Sequence, residues 1–305
     1  MSNQHGPQFV SLAMFNIDEF EYKDADGNLT GRIAKSQIGG AGTYAVIGAR
    51  MWLAPDNVGM IVDKGYDFPT EIQEEMLRYG EAMWAFREQP HHRTTRILNS
   101  FYGERTEFKF LTDRIWLTPR DLDNTRLSRP HSLHFISSPE RAKRILTEVK
   151  AAADWNPTII YEPVPVDCTP EFLPGLQEIL PFIDVLSPNA EEALQLLSLP
   201  LPPTKATIEQ AACMFLAIGV GTSSYGVVII RSGQLGAFAL SPKDEKGIWI
   251  DAYWTEGEGD LRHVVDVTGA GNSFLGGLAA GLYLTKGDIY EGKSHRKFSS
   301  SAFSQ

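Results

Sequence analysis

The residues best suited to chemistry lie in His263-Val-Val-Asp-Val-Thr-Gly-Ala-Gly-Asn-Ser-Phe274, which runs on in small and apolar residues to Leu282. Their order reads as a short apolar strand over 263–267, a small-residue turn at Gly269, Ala270 and Gly271, and a helix from Asn272. Glycines in such a turn let backbone N–H groups come close to a ligand. The first turn of the helix adds unpaired N–H donors and the positive end of its dipole, so the place suits an anion. An ordinary helix start packed against a sheet, capped by Asn272 or Ser273, would use the same residues.

Other groups recur at strand ends. The apolar run 9–17 reads as a strand buried on both faces and ends at Asp18-Glu19, where open α/β sheets place their ligands. Ser187-Pro-Asn-Ala-Glu-Glu192 opens a helix with good caps and acids in its first turn. Gly40-Ala-Gly-Thr-Tyr-Ala45 fits the dinucleotide pattern G-x-G-x-x-A, with Asp63 at the end of the next apolar run. The segment before those glycines, 31–38, is too charged for the buried first strand which that motif requires.

Asp266-Val-Thr-Gly-Ala-Gly-Asn-Ser-Phe274 resembles the second signature of the PfkB, ribokinase-like, carbohydrate kinases, usually D-T-T-G-A-G-D-S-F. The resemblance implies that Gly269, Ala270 and Gly271 form an anion hole for the transferring phosphoryl group. It also puts Asn272 at the position of the catalytic base, normally Asp. Gly39 and Gly40 are in register with the first signature, G-G-x-x-x-N, as substrate-side residues, with Tyr44 replacing the usual Asn. Asp18 matches the Asp that holds substrate hydroxyls. Asn189 and Glu192 match the N-x-x-E pair that supports phosphate and, indirectly through Glu192, Mg²⁺. Arg231-Ser-Gly-Gln-Leu-Gly236 resembles the nucleotide-side turn T-x-G-x-x-G. Gly233 and Gly236 match it, Arg231 stands where Thr is usual, and Thr268 joins them on the nucleotide side.

These motifs occur in the family's order and cover the chain to about residue 288, with wording most like the fungal maintenance-of-killer branch. The implied fold is a ribokinase-like three-layer α/β sandwich, a mostly parallel sheet with helices on both faces and a small β lid. The implied cofactors are ATP and Mg²⁺, and the implied reaction is phosphoryl transfer to a hydroxyl of a sugar or nucleoside. A homodimer through the lid also belongs to this expectation. The alternative is a pseudokinase, because an amide cannot take the hydroxyl proton and losing a general base costs about 10²–10⁴-fold.

The supporting elements are legible by pattern. Hairpins are expected within 19–38, around Asp24-Ala-Asp-Gly-Asn28, and within 96–111; these would be the lid strands. A helix is expected over 70–87, with Ile72, Met76 and Trp84 on its apolar face. His91-His92-Arg93 reads as a surface loop, while Arg93 or Arg96 is within reach of a phosphate on the lid side. Strand-then-helix units follow at 132–152 and 158–180, then a strand at 183–186, a helix at 207–219 and a strand at 226–230. One domain is expected over 1–290. The basic, Ser-rich stretch 291–305 reads as a disordered tail, or as a misread last exon, in place of the helices that wall the nucleotide base in the family.

Composition narrows the class. The chain has 305 residues, 43% hydrophobic and 22% charged, enough for a large core. A formal net charge of −10 argues against direct nucleic-acid binding or attachment to a membrane surface. Cys168 and Cys213 form no metal spacing and no disulfide framework. With no signal-peptide pattern and no apolar run of membrane length, a cytoplasmic protein is expected.

Overall fold

The apolar run 9–17 does not form one strand. In the computed structural model, which describes residues 6–24, 26–102, 105–244, 246–254 and 263–285, it divides between two sheets. β1 (Phe9–Ser11) lies inside the main sheet, residues 12–15 cross over, and β2 (Asn16–Lys23) begins the lid. Every residue from Phe9 to Leu12 is buried, as are Phe15 and Ile17. The run reads as continuous because both sheets, and the crossing between them, exclude water from it.

In chain order the next elements are β3 (Gln37–Gly39), α1 (Ala41–Arg50), β4 (Val58–Gly65), α2 (Thr70–Tyr79), β5 (Trp84–Gln89), β6 (Arg96–Tyr102) and β7 (Arg105–Phe110). Then come β8 (Ser132–Ser137), α3 (Pro139–Ala151), β9 (Thr158–Pro163), α4 (Leu173–Ile179), β10 (Val185–Leu186), α5 (Ala190–Leu196) and α6 (Lys205–Ile218). β11 (Val227–Arg231), β12 (Ala237–Leu240), β13 (Ile248–Ile250) and α7 (Ala270–Leu284) complete the set. Among the described residues the main sheet has nine strands, in the order β13-β12-β11-β10-β9-β8-β1-β4-β5. Its pairs are parallel from β5 to β11 and antiparallel only at β11–β12 and β12–β13. One face is covered by α3, α4, α5 and α6 through residues such as Ile145, Leu176, Leu194 and Phe215; the other is covered by α1, α2 and α7 through Val46, Met76 and Leu278. This is the expected three-layer sandwich.

Among the described residues the lid is a four-stranded sheet in the order β3-β2-β6-β7. Its β6–β7 hairpin matches the expected strands within 96–111, and β2 pairs antiparallel with β3 across the turn cluster at Asp24. β2 and β6 are parallel, so Asp18 faces Ile97 in register. Asp18 therefore sits inside a lid strand, and not at the end of a main-sheet strand.

Two local expectations fail. The helix expected over 70–87 stops at Tyr79, where Gly80 takes φ 134°. Trp84 belongs instead to edge strand β5, and its indole N–H donates to Met76 O at 2.7 Å. Its burial comes from the sheet, so it only mimicked a helical repeat. The strand expected over 263–267 is likewise not formed; Val265 is 92% exposed and this segment pairs with no described strand. β-Branched residues alone do not make a strand without a neighbouring edge. The expected tail, 291–305, lies outside the described residues.

Two glycines set the approach of α1 to α7. A Cβ built on Gly48 would lie 2.2 Å from Ser273 O, and one on Gly276 would lie 1.9 Å from Ala45 O. The helices thus touch backbone to backbone, and Ser273 Oγ donates to Tyr44 O at 3.2 Å. This contact fixes where the Gly269 turn points.

Candidate active site

The C-terminal ends of β1, β8, β9 and β11 and the start of α7 converge on one carboxylate, Glu162, whose side chain is 1% exposed. His134 Nε2 lies 2.6 Å from Glu162 Oε1, and Arg231 Nη2 lies 2.8 Å from Oε2. Asn272 Nδ2 donates to both oxygens, at 2.9 and 3.0 Å. Behind His134, Ser11 Oγ is 2.9 Å from Nδ1 and accepts the Ala13 N–H at 3.2 Å. Ser11 Oγ and Glu162 Oε1 thus hold the two ring nitrogens of His134 between them. Burial alone would raise the Glu162 pKa, but the charge of Arg231 and the contacts of His134 and Asn272 outweigh it and hold the carboxyl at about 2.

Arg231 leaves the end of β11 and also donates from Nη2 to Ser187 O at 3.0 Å. The same nitrogen is 3.9 Å from Glu192 Oε2. Glu192 closes a capping box at the start of α5: Asn189 Oδ1 accepts the Glu192 N–H at 2.8 Å, and Glu192 Oε2 accepts the Asn189 N–H at 2.7 Å. Burial raises the Glu192 pKa to about 7, against the lowering effect of Arg231.

The small-residue turn at Gly269 opens a helix, which begins at Ala270 and not at the expected Asn272. Gly269 precedes α7 with φ 72°, a conformation that favours glycine, and Ala270 and Gly271 form the first turn. The N–H groups of Gly271 and Asn272 have no helical carbonyl to bond. A Cβ on Gly269 would lie 2.2 Å from the Tyr44 ring, and one on Gly271 would lie 2.4 Å from Arg231 Nη1. Tyr44 and Arg231, two of the three departures from the expected motifs, therefore press on the turn from opposite ends. Tyr44 also donates from its hydroxyl to Ile38 O at 3.1 Å, and burial pushes its pKa up.

A cavity of about 870 Å³ opens between this turn and the lid, with Asp18, Gly40, Thr268, Gly269 and Asn272 in its wall. Asp18 is 7% exposed and accepts from Asn16 Nδ2 at 2.8 Å. Its pKa is raised by burial, against the hydrogen bonds of Asn99 and Asn16. Gly39 stands directly behind it, since a Cβ there would lie 2.4 Å from the Asp18 carboxyl. Tyr44, Phe108, Phe110 and Trp116 add aromatic faces to the wall. Arg114 and Arg141 lie over the Trp116 ring at 4.8 and 4.4 Å. The wall thus offers carboxylate and amide groups for hydroxyls and flat apolar faces for a ring.

Not every expected residue reaches this wall. Gly233 and Gly236 occupy the β11–β12 reversal, with φ 55° and 87°. Arg96 is engaged by Glu19 at 2.8 Å and by Asp67, and Arg93 by Asp67 at 3.1 Å, so neither is directed at a phosphate. Asp63 is held by Arg87 at 2.6 and 3.0 Å and by Gln89, and the strand before Gly40 belongs to the lid; both facts count against a dinucleotide site. Glu162, His134 and Ser11 were not singled out by motif. The available signal was an acid closing the apolar run Thr158-Ile-Ile-Tyr161 at a strand's C-terminal end.

The residues present do not fit a resident Mg²⁺. Magnesium needs open oxygen ligands in octahedral array, but both Glu162 oxygens accept N–H donors and Glu192 Oε2 caps a helix beside a guanidinium. Among the described residues, no group of three or more His, Cys, Asp and Glu is arranged to hold a metal ion. No helix among them is long and apolar enough to cross a membrane.

Residues 9–291 match the family described as pfkB family carbohydrate kinase. An uncharacterized protein of Schizosaccharomyces pombe is 32% identical over 300 residues, covering 93% of this chain and 80% of that protein. Protein MAK32 of Saccharomyces cerevisiae is 31% identical over 296 residues, covering 91% and 79%. Among solved structures, ribokinase from Cryptococcus neoformans var. grubii in complex with ADP superposes with a TM-score of 0.69 at 17% identity, covering 98% of this chain and 92% of that one.

Proposed function

The chain belongs to the pfkB family of carbohydrate kinases, beside fungal relatives that include Protein MAK32, and within that family we propose that it acts as a pseudokinase. It would bind a sugar or nucleoside under the lid and a nucleotide at the anion turn, and work through that binding. The observation that carries this reading is the donation from Asn272 to Glu162. The base position is filled by a hydrogen-bond donor, and the neighbouring carboxylate, with a pKa of about 2, is too weak a base to take a proton from a hydroxyl.

A second reading is a slow ATP-dependent kinase. It is favoured by the intact acceptor side, where Asp18 and Asn272 line one cavity with Gly269. Phosphoryl transfer depends mainly on positioning and electrostatics, so activity can survive without the base at about 10²–10⁴-fold lower rate. In either case ATP is the nucleotide and the protein works in the cytoplasm as a single kinase-fold domain. The exposed lid residues Leu29 and Ile33 support pairing of two copies through the lid.

The deciding experiment measures ADP release with the wild-type chain over a panel of sugars and nucleosides, beside ligand binding by calorimetry. Binding without turnover is expected. Turnover on any one acceptor would overturn the pseudokinase reading in favour of the kinase.

A further inference from the structure

We propose that Arg231 is the resident cation of this site, standing where a divalent metal would be needed, so that nucleotide phosphates bind at the anion turn without magnesium. The proposal rests on the nucleotide reading above for its ligand, but not for its statement about metal.

The two carboxylates at the site are already countered from within the chain. Arg231 Nη2 is 2.8 Å from Glu162 and 3.9 Å from Glu192, and it is anchored by Ser187 O at 3.0 Å. An arginine cannot lose its proton in a protein, so this charge is permanent. A dication between the same carboxylates would meet a fixed positive charge, with both Glu162 oxygens and Glu192 Oε2 already accepting N–H donors.

Two guanidinium nitrogens, Nη1 and Nε, carry no carboxylate. The carboxylate-bound nitrogen is Nη2, whereas Nη1 lies against Gly271, 2.4 Å from a Cβ built there. Nε is buried and has no hydrogen-bond partner. A buried N–H without a partner is costly to leave unmade. Nη1 thus lies against the first turn of the 15-residue α7, whose dipole and unpaired N–H groups favour an anion. Cation and helix start together make a phosphate site that needs no bridging metal.

The test uses the full chain with Mn²⁺ alone, followed by electron paramagnetic resonance, and with ADP by calorimetry in EDTA or in excess Mg²⁺. Wild type is expected to leave Mn²⁺ free and to bind ADP within about twofold in the two buffers, since the nucleotide's charge is met by arginine. Arg231→Thr should gain a Mn²⁺ signal and come to depend on Mg²⁺ for ADP by about tenfold or more, with the guanidinium charge gone from between the two carboxylates. Arg231→Lys, which keeps the charge, should still exclude Mn²⁺. Mn²⁺ binding by wild type that Glu192→Gln abolishes, or ADP binding at least about tenfold tighter with Mg²⁺, would overturn the proposal. ADP binding in neither buffer would overturn the anion role together with the nucleotide reading, while the Mn²⁺ result would still decide the metal claim. Should Arg231→Thr fail to fold, the wild-type and Arg231→Lys results decide alone.

Discussion

Asn272 Nδ2 lies 2.9 and 3.0 Å from the two carboxylate oxygens of Glu162, so the first turn of α7 is tied to the end of β9 by an amide nitrogen, a group that only donates. The amide at this position is therefore matched to its surroundings. A carboxylate there would face another carboxylate at hydrogen-bond distance, and like charges so close share a proton.

Replacing Asn272 with Asp consequently does more than supply a base. Asn272→Asp is expected to lower stability by about 2–4 kcal/mol at pH 8, where both carboxyls ionise. The loss should be smaller at pH 5, because a raised pKa shared by the pair favours the protonated form at low pH. Adding Glu162→Gln should recover part of it at pH 8. Chemical denaturation at the two pH values checks this; equal losses at both would sink it.

Glu162 and Arg231 form a buried pair, with side chains 1% and 13% exposed. Removing one partner leaves the other uncompensated, so Glu162→Gln and Arg231→Met should each cost about 3–5 kcal/mol. The double variant should cost less than the sum, since neither charge is then stranded. A double-mutant cycle from urea denaturation measures the coupling; additive losses would show that the two charges are independently tolerated.

Glu192 predicts an unusual pH profile. Its folded pKa, raised by burial to about 7, lies above the ordinary value of 4.5. The folded protein then holds a proton that the unfolded chain releases, so stability falls as pH rises from about 4.5 to 7 and levels off above. The full span corresponds to about 3 kcal/mol at 1.36 kcal/mol per unit. Glu162, with its pKa held at about 2, adds the opposite trend at lower pH: its stabilisation is lost as pH falls from 4.5 through 2. Glu192→Gln preserves the capping box and should flatten the 4.5–7 segment alone. Melting temperature across pH 4–8 for both proteins is the check.

Asp18 is a buried carboxyl in the wall of the lid cavity. Burial raises its pKa, so the ionised form is unfavourable in the fold at neutral pH. Asp18→Asn should raise the melting temperature at pH 7, and the gain should vanish near pH 3, below the unfolded-state pKa. Binding of a sugar or nucleoside should weaken by about 10–100-fold, the loss of a charged acceptor for hydroxyls. Unchanged ligand affinity would remove Asp18 from the binding site.

Much of this was legible in order and type. The Gly269 turn, the Asn189–Glu192 pair and the lid hairpins carry local signals, because positive-φ glycines, caps and alternating strands depend on neighbours in sequence. The errors at 80–87 and 263–267 have a common cause. Trp84 and the valines 264, 265 and 267 satisfied a local period, but whether a strand forms depends on an edge elsewhere in the chain.

The sequence by itself determined the family, the layered α/β plan and the fact that an amide stands at the base position. Only the tertiary structure decided what that amide does. Ser11, His134, Glu162, Arg231 and Asn272 come from distant segments, and each alone is an ordinary polar residue at a strand or helix end. Burial beside one another sets the carboxyls: the Glu162 pKa is held low because Arg231 lies 2.8 Å away, and the Glu192 pKa is raised to about 7 because it is buried. Charge in a low-dielectric interior is set by distance in space, and distance in space is what the linear order does not contain.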